Sequence, residues 1–365
     1  MALSNESARS ALEALVDPLS NKTLGELGAV KRADVAGSTV HAEVELFSHA
    51  SSARAVIERE AKSKLESLGA ASVEITFSAN VRMRQVSGED PCPEVKNVIL
   101  VMSGKGGVGK STVAANLTLA LHRAGARVGL LDADIYGPSV PTMLGVQGRP
   151  VSADGKMIEP LERFGVKIMS IGFLLDDPKT AVVWRGPMLH GALQQFLRDV
   201  NWGKLDYLVL DLPPGTGDVA LTLSQQVKVT GAVIVTTPQE VALIDVYKSI
   251  SMCQKLNIPV LGVVENMSWF VDPAGNKHEI FGRGGGQKAA EHAKAPLLAQ
   301  IPMDSLVREW GDNGTPVVQA QPNSLIAKSF KDLAETLSDK ITMELNAAYG
   351  GTAPSEGPKR LRILR

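Results

Sequence analysis

The sequence predicts an α/β protein, with a doubly wound, mostly parallel sheet preceded by a small α+β domain. Three observations carry that reading. First, apolar runs recur with helical stretches between them: Asn97–Met102 (NVILVM), Arg127–Leu131 (RVGLL), Tyr207–Leu210 (YLVL), Ala232–Thr236 (AVIVT) and Val260–Val264. Strands apolar on both faces that alternate with helices belong to a parallel sheet covered on both sides. Second, Ser103–Thr112 (SGKGGVGKST) sits between the first run and an amphipathic run starting at Lys110. A strand, a glycine-rich loop and a helix in that order make a phosphate cradle. Third, the residues before about 85 show a strand–helix–strand pattern of their own.

In chain order, Glu6–Val16 has helical spacing of Ala11, Leu12, Leu15 and Val16. Thr39–Phe47 alternates, with Val40, Ala42, Val44 and Leu46 on one face of a strand. Ala53–Leu68 places Ala53, Val56, Ile57, Ala61 and Leu65 on one helical stripe, and Ser72–Phe77 closes the module as a strand. We therefore expect a small domain over 1–86. Ser87–Pro93 (SGEDPCP) is polar and Pro-rich, which predicts a linker over 87–96. Cys92 lies in it, and two readings stand: a mobile exposed thiol able to join metal transfer, or a linker cysteine without a role.

The large domain is expected over 97–347. In the loop, Gly104, Gly106, Gly107 and Gly109 let the backbone turn and aim its N–H groups inward. Lys110 would reach the β- and γ-phosphates, and the Ser111 hydroxyl would hold Mg²⁺. Strand Arg127–Leu131 ends in Asp132, Ala133 and Asp134, and strand Tyr207–Leu210 ends in Asp211 followed by LPPGTGD. Carboxylates at the carboxyl ends of strands lie where a doubly wound sheet opens its crevice. Asp211 is placed to reach Mg²⁺ through water. Pro213–Thr216 forms a rigid turn facing the γ-phosphate, closed by Asp218. Gly137–Thr180 reads as a hairpin-bearing insertion, Val182–Met188 leads into a helix through Val200, Val241–Leu256 is a helix and Leu325–Glu344 is the last one. Cys253 falls beside Val246 and Ile250 on an apolar helix face, a core position. The Gly/Pro/Ser-rich end, 348–365, finishes as KRLRILR and reads as a disordered basic tail.

Composition narrows the function classes. The chain has 365 residues, a net charge of −1 and 4% aromatics. A near-neutral surface poor in aromatics argues against nucleic acid, and no apolar run is long enough to span a bilayer. The N-terminus lacks a basic segment followed by an apolar one, so no secretory signal is expected. Two distant cysteines fit a reducing, cytoplasmic setting.

The form GKGGVGK, with Lys105 after the first glycine, resembles the deviant Walker A loop of the ATPases that include the nitrogenase iron protein, the septum-site ATPase and the arsenite-pump ATPase. With DADIYGPS, WRGPM, DLPPGTGD and GVVENMS, the chain resembles the Mrp/ApbC group of iron–sulfur cluster carriers, and residues 1–86 resemble the small domain found ahead of many of them. The resemblance implies a P-loop NTPase fold and an ATP-hydrolysing homodimer that carries a 4Fe–4S cluster to recipient or scaffold proteins. It implies that Gly104, Lys105, Gly106, Gly107, Val108, Gly109, Lys110, Ser111 and Thr112 bind ATP. Lys105 would cross to the partner's nucleotide, Asp134 would orient the attacking water, and Ser111, Asp132 and Asp211 would serve Mg²⁺. Asn266 would recognise adenine, with Ala299–Pro302 and Asp304 as a loop on the other side of the base. Arg185 has no assigned mechanism; a buried ion pair, a subunit contact and catalysis stay open. The family's cysteine–proline pair before the second helix is replaced by Ser48–Arg54 (SHASSAR). Its C-x-x-C pair after ENMS is replaced by Asp272 and Gly275, so the cluster ligands are unknown. Asp272 and His278 are candidate hard or borderline ligands that suit an iron–sulfur site poorly, and we read Asp272 as a turn residue and His278 as a polar neighbour of the loop. Two functions follow: a cluster carrier without the bridging pair, or a metal-free nucleotide-dependent dimeric switch. A partitioning or septum ATPase ranks last, because the tail is too short for a membrane-binding helix.

Overall fold

The computed structural model describes residues 3–135, 137–152, 155–174, 186–215 and 217–349. Tyr136, Trp184, Arg185, Thr216 and the tail from Gly350, all singled out above, lie outside the described residues, as does the side chain of Asp218. The described chain forms two compact units, 3–82 with 338–349, and 83–337.

The first unit holds α1 (Asn5–Glu13), the short pair β1 (Val16–Asp17) and β2 (Lys22–Thr23), then β3 (Val30–Ala36), β4 (Thr39–Leu46), α2 (Ala53–Ser67) and β5 (Ser72–Ala79). Ser4 starts α1 because its hydroxyl and that of Ser7 cap each other's backbone N–H. The sheet runs β3-β4-β5, antiparallel then parallel. Val40, Ala42, Val44 and Leu46 of β4 and Ala53, Ile57, Ala61 and Leu65 of α2 meet in one core with Leu12 and Leu24. Strand β3 is an addition to the expected order. Only Val30 and Ala33 are buried on it, and the exposed Lys31 and Arg32 between them break the alternation that marks a strand. Ser52, just ahead of α2, donates its N–H and hydroxyl to Asp339 Oδ2, which brings the end of the last helix into this unit.

The second unit holds β6 (Val95–Ser103), α3 (Lys110–Arg123), β7 (Val128–Asp132), α4 (Val140–Met143), β8 (Leu161–Arg163), β9 (Val166–Ser170), α5 (Gly186–Arg198), β10 (Leu205–Asp211), α6 (Asp218–Gln226) and β11 (Gly231–Thr236). It continues with α7 (Glu240–Lys255), β12 (Val260–Val271), β13 (Lys277–His278), α8 (Gly285–Ala293), β14 (Leu297–Met303), α9 (Ser305–Asp312), α10 (Val317–Ala320) and the start of α11 (Leu325–Tyr349). Among the described residues these strands form one nine-stranded sheet, ordered β13-β12-β11-β6-β10-β7-β9-β8 with β14 also paired to β12. Its pairings are parallel except for the hairpins β8–β9 and β12–β13. The hairpin expected in the insertion is β8–β9.

Every residue of β7, β10 and β11 is buried, as a sheet covered on both faces requires. Helix α3 differs from its amphipathic expectation. Val113–Leu121 is buried without interruption, so this helix is enclosed by the fold. Strand β10 lies between β6 and β7, and β11 takes the opposite side of β6. The order therefore reverses at β6, and a crevice opens at its carboxyl end. Parallel register sets Asp211 beside Asp132 on one side and Val101 on the other. Topology thus brings together two aspartates far apart in sequence.

The segment 87–96 is not an open linker. Asp90 and Cys92 are buried, because Arg84, itself 2% exposed, grips Asp90 with both terminal guanidinium nitrogens and donates to Cys92 O at 3.1 Å. This corrects the exposed-thiol reading of Cys92. The composition is that of a loop, but a buried ion pair holds the loop down. Removing one member leaves the other charged and buried without compensation. Asp90→Ala is therefore expected to cost about 3–5 kcal/mol of this unit's stability, read by urea unfolding. A loss under about 1 kcal/mol, the range of an exposed pair, would contradict a desolvated one.

Candidate functional site

The site is built at the end of β6. Gly107 and Gly109 have φ of 81° and 82°, a left-handed conformation that side-chain residues adopt at a cost. Gly104 answers a different constraint. A Cβ there would sit 2.4 Å from the carbonyl carbon of Asp245, so the loop lies directly against α7. Ser103 Oγ donates to Lys105 O at 3.0 Å, and Gly215 N–H donates to Ser103 O at 2.9 Å. The second bond ties the Pro213–Gly215 turn to the loop. Helix α3 begins at Lys110, so its positive end faces the cradle.

The ionisable groups are packed closely. Lys110 Nζ lies 2.6 Å from Asp211 Oδ1, 3.3 Å from Asp134 Oδ2 and 3.3 Å from Ser111 Oγ. All three expected carboxylates are buried: Asp132 and Asp211 at 0% exposure, Asp134 at 8%. Asp132 is held by three donors, Asp134 N–H at 3.1 Å, Val140 N–H at 3.2 Å and Ser170 Oγ at 3.0 Å. It orders the turn that carries Asp134. Burial, reinforced by the charge of Asp211, pushes the Asp132 carboxyl up to about 7 against the pull of those donors. Burial also raises Asp211, opposed by Lys110 and by a hydrogen bond from Ser111.

The donor set fits Mg²⁺. Asp211 Oδ2 is buried without a hydrogen-bond partner, and the Ser111 hydroxyl is directed at the same carboxylate. Hard oxygen donors with a free lone pair are what this ion takes. Ser111 and Asp211 would hold it, with Asp132 behind them, and it would neutralise charge on the nucleotide's phosphate oxygens.

Beside the loop is a cavity of about 490 Å³ lined by Gly109, Thr112, Asn266, Met267, Pro302, Met303 and Asp304. Its volume suits a nucleoside. Asn266 donates from Nδ2 to Val108 O at 2.9 Å. A carbonyl only accepts, so the amide's orientation is fixed and Oδ1 is its remaining acceptor. Met267 follows with φ of 56°, at a break in the register of β12. The Ala299–Pro302 segment, expected as a loop, belongs to strand β14, and Asp304 caps α9 by accepting from Leu306 N–H at 2.9 Å. Sequence reasoning missed Asn116, Met143, Phe270 and the α9 residues Val307, Arg308 and Gly311 in this wall. Helix α9 carries no buried residue, and only its spacing could have pointed to it.

Lys105 is half-buried between half-buried Gly104 and exposed Gly106, and with the described residues its ammonium forms no ion pair. Asp272 is the turn residue expected. Its Oδ1 accepts from Ala274 and Asn276 N–H, and its Oδ2 lies 2.8 Å from His278 Nε2. His278 and Asn276 hold its carboxyl well below the usual carboxylate range. Gly275, at φ of 86°, completes the turn. Cys253 is in the core, its thiol 3.7 Å from Met102 Sδ and pushed up to about 11 by burial. No group of three or more His, Cys, Asp or Glu is arranged for a metal among the described residues.

The sequence model of the NUBPL iron-transfer P-loop NTPase family matches residues 94–338, and that of an iron–sulfur cluster assembly protein family matches 5–77. The chain is similar to an iron–sulfur cluster carrier protein of Deinococcus radiodurans, 47% identical over 363 residues, 99% of this chain and all of the relative. It is 44% identical to one from Synechocystis over 349 residues, 93% and 99% of the two chains. A solved nucleotide-binding protein from Archaeoglobus fulgidus, in complex with ADP, matches with a TM-score of 0.55 and 42% identity over 63% of this chain and 92% of its own. On this fold, this phosphate loop and these matches, the chain belongs to the NUBPL iron-transfer P-loop NTPase family.

Proposed function

We propose that this protein is an ATP-hydrolysing iron–sulfur cluster carrier, working as a homodimer in the cytoplasm and passing 4Fe–4S clusters to recipient or scaffold proteins. The observation that carries the ATPase half is buried Lys110 paired with buried Asp134 and Asp211, with the Ser111 hydroxyl beside it, at the mouth of a glycine loop next to a nucleoside-sized cavity. The loop amides and Lys110 grip the phosphates. Asn266 Oδ1 accepts from an exocyclic amino group, which favours adenine over a 6-keto base. Asp134 stands beside Lys110, where it can orient a water toward the γ-phosphate. Lys105 extends from the loop toward a second subunit's nucleotide. The names carried by the relatives support the cargo. Cys92 and Cys253 form no disulfide, which suits a reducing compartment, and no described helix is long and apolar enough to cross a membrane.

A second reading, a metal-free nucleotide-driven switch, is favoured by one feature. Cluster ligation wants thiolates. Here Asp272 is committed to its own turn and both cysteines are buried. The cargo therefore has no thiolate pair on this hairpin, and we derive no ligation geometry for it.

Two experiments test these readings. Lys110→Ala abolishes ATP binding. Asp134→Ala keeps binding and lowers turnover by about 10²–10⁴-fold, the range for a positioned proton-handling group. Lys105→Ala keeps binding and slows only the rate that rises with protein concentration; normal turnover by that variant at high concentration would remove the in-trans role. Iron and sulfide measured on anaerobically purified protein decide the cargo. Stoichiometric amounts of both support the carrier, and their absence, with no transfer to an apo-recipient, leaves the switch.

A further inference from the structure

The pairing of Lys110 has a consequence for metal entry. Its ammonium is 6% exposed and sits at 2.6 Å from Asp211, the carboxylate whose other oxygen is the partnerless metal donor. It also reaches Asp134 at 3.3 Å. Asp132, the third carboxylate of the cluster, is fully buried and accepts hydrogen bonds from three neutral donors. Lys110 is the one cation in ion-pair distance of Asp211 among the described residues, and it reaches Asp134 as well. In a site that excludes water, a carboxylate without a cation is costly, and two cations against one carboxylate repel strongly.

We propose that Lys110 is the resident counter-cation of the magnesium pocket. Without nucleotide it neutralises Asp211 and Asp134 and keeps free divalent ions out. A triphosphate draws it away and so opens the carboxylates to the ion that arrives with the nucleotide. The site then admits Mg²⁺ as a nucleotide complex and rejects it as a free ion. This regulation rests on reading the pocket as an Mg–ATP site. No bond is made or broken in it; one ammonium exchanges carboxylate oxygens for phosphate oxygens.

Mn²⁺ is the probe, followed by its EPR signal on the full-length protein. Wild type is expected to bind free Mn²⁺ weakly and to bind it tightly once ATP is added. Lys110→Met keeps the chain length and removes the charge. It is expected to gain about tenfold or more in affinity for free Mn²⁺, the scale of one charged hydrogen bond. Adding Asp211→Asn to that variant should erase the gain; a gain that survives belongs to another site and overturns the proposal. If folded Lys110→Met binds free Mn²⁺ no better than wild type, the proposal is wrong as well. Asp211→Asn alone gives an independent arm that remains readable if Lys110→Met fails to fold. Freed of its anchor, Lys110 should raise affinity for metal-free ATP in EDTA by a similar factor, and unchanged or weaker binding overturns the proposal. Failure of the ATP-site reading has its own signature: ATP does not promote Mn²⁺ binding to wild type.

Discussion

One ammonium among three buried carboxylates is the constraint on which this fold turns. Lys110, Asp132, Asp134 and Asp211 are each less than a tenth exposed, and such groups persist only when their charges and hydrogen bonds are answered locally. The second unit can be seen as the set of placements that does so. Strand β10 enters between β6 and β7, which sets Asp211 level with Asp132. Strand β9 supplies the Ser170 hydroxyl, and the first residue of α4 supplies the Val140 N–H. Gly104 lets the loop rest on the backbone of α7, so Lys110 emerges at a fixed height over the strand ends. A substitution far along the chain, at Ser170 for instance, would act on the nucleotide site by leaving Asp132 short of a donor.

The same economy shapes the base side. Asn266 sits where β12 breaks register, and its amide bonds the carbonyl of Val108 inside the phosphate loop. A residue of the cavity wall is thereby fastened to the glycine loop. Gly109 is essential to that contact, since a Cβ there would fall 2.3 Å from Asn266 Nδ2. The neighbouring Glu265 is structural. Its carboxylate accepts from Gly286 N–H at the start of α8 and from Gln300, which braces β12 against β14.

The sheet was legible because its strands are apolar on both faces, and three of the runs end in the glycine loop or in an aspartate, signals that survive without tertiary context. The phosphate loop and its carboxylates were legible for the same reason: each lies at the end of such a run. What was not legible depends on partners distant in sequence. The segment around Cys92 looks like a linker until Arg84 folds onto Asp90. Strand β3 hides behind exposed charges. Strand β12 continues to Val271 past a left-handed Met267, a step that no propensity encodes. Helix α9 lines the cavity beside the loop without burying a residue in the fold, so burial patterning gave it no signature.

The nucleotide cradle and the β12–β13 hairpin also differ in how they are held. The cradle is locked by main-chain geometry and by buried charges that tolerate no local change. The hairpin is a two-residue pairing, Phe270 with His278 and Val271 with Lys277, closed by a partly exposed aspartate that satisfies its own turn. Exchanging a turn residue there alters neither the sheet register nor the charge cluster, because neither depends on it. The turn residues can therefore change without disturbing the buried charge cluster. That separation explains how a chain with the complete phosphate machinery of its family presents an aspartate and a glycine where the resemblance leads one to look for thiolates.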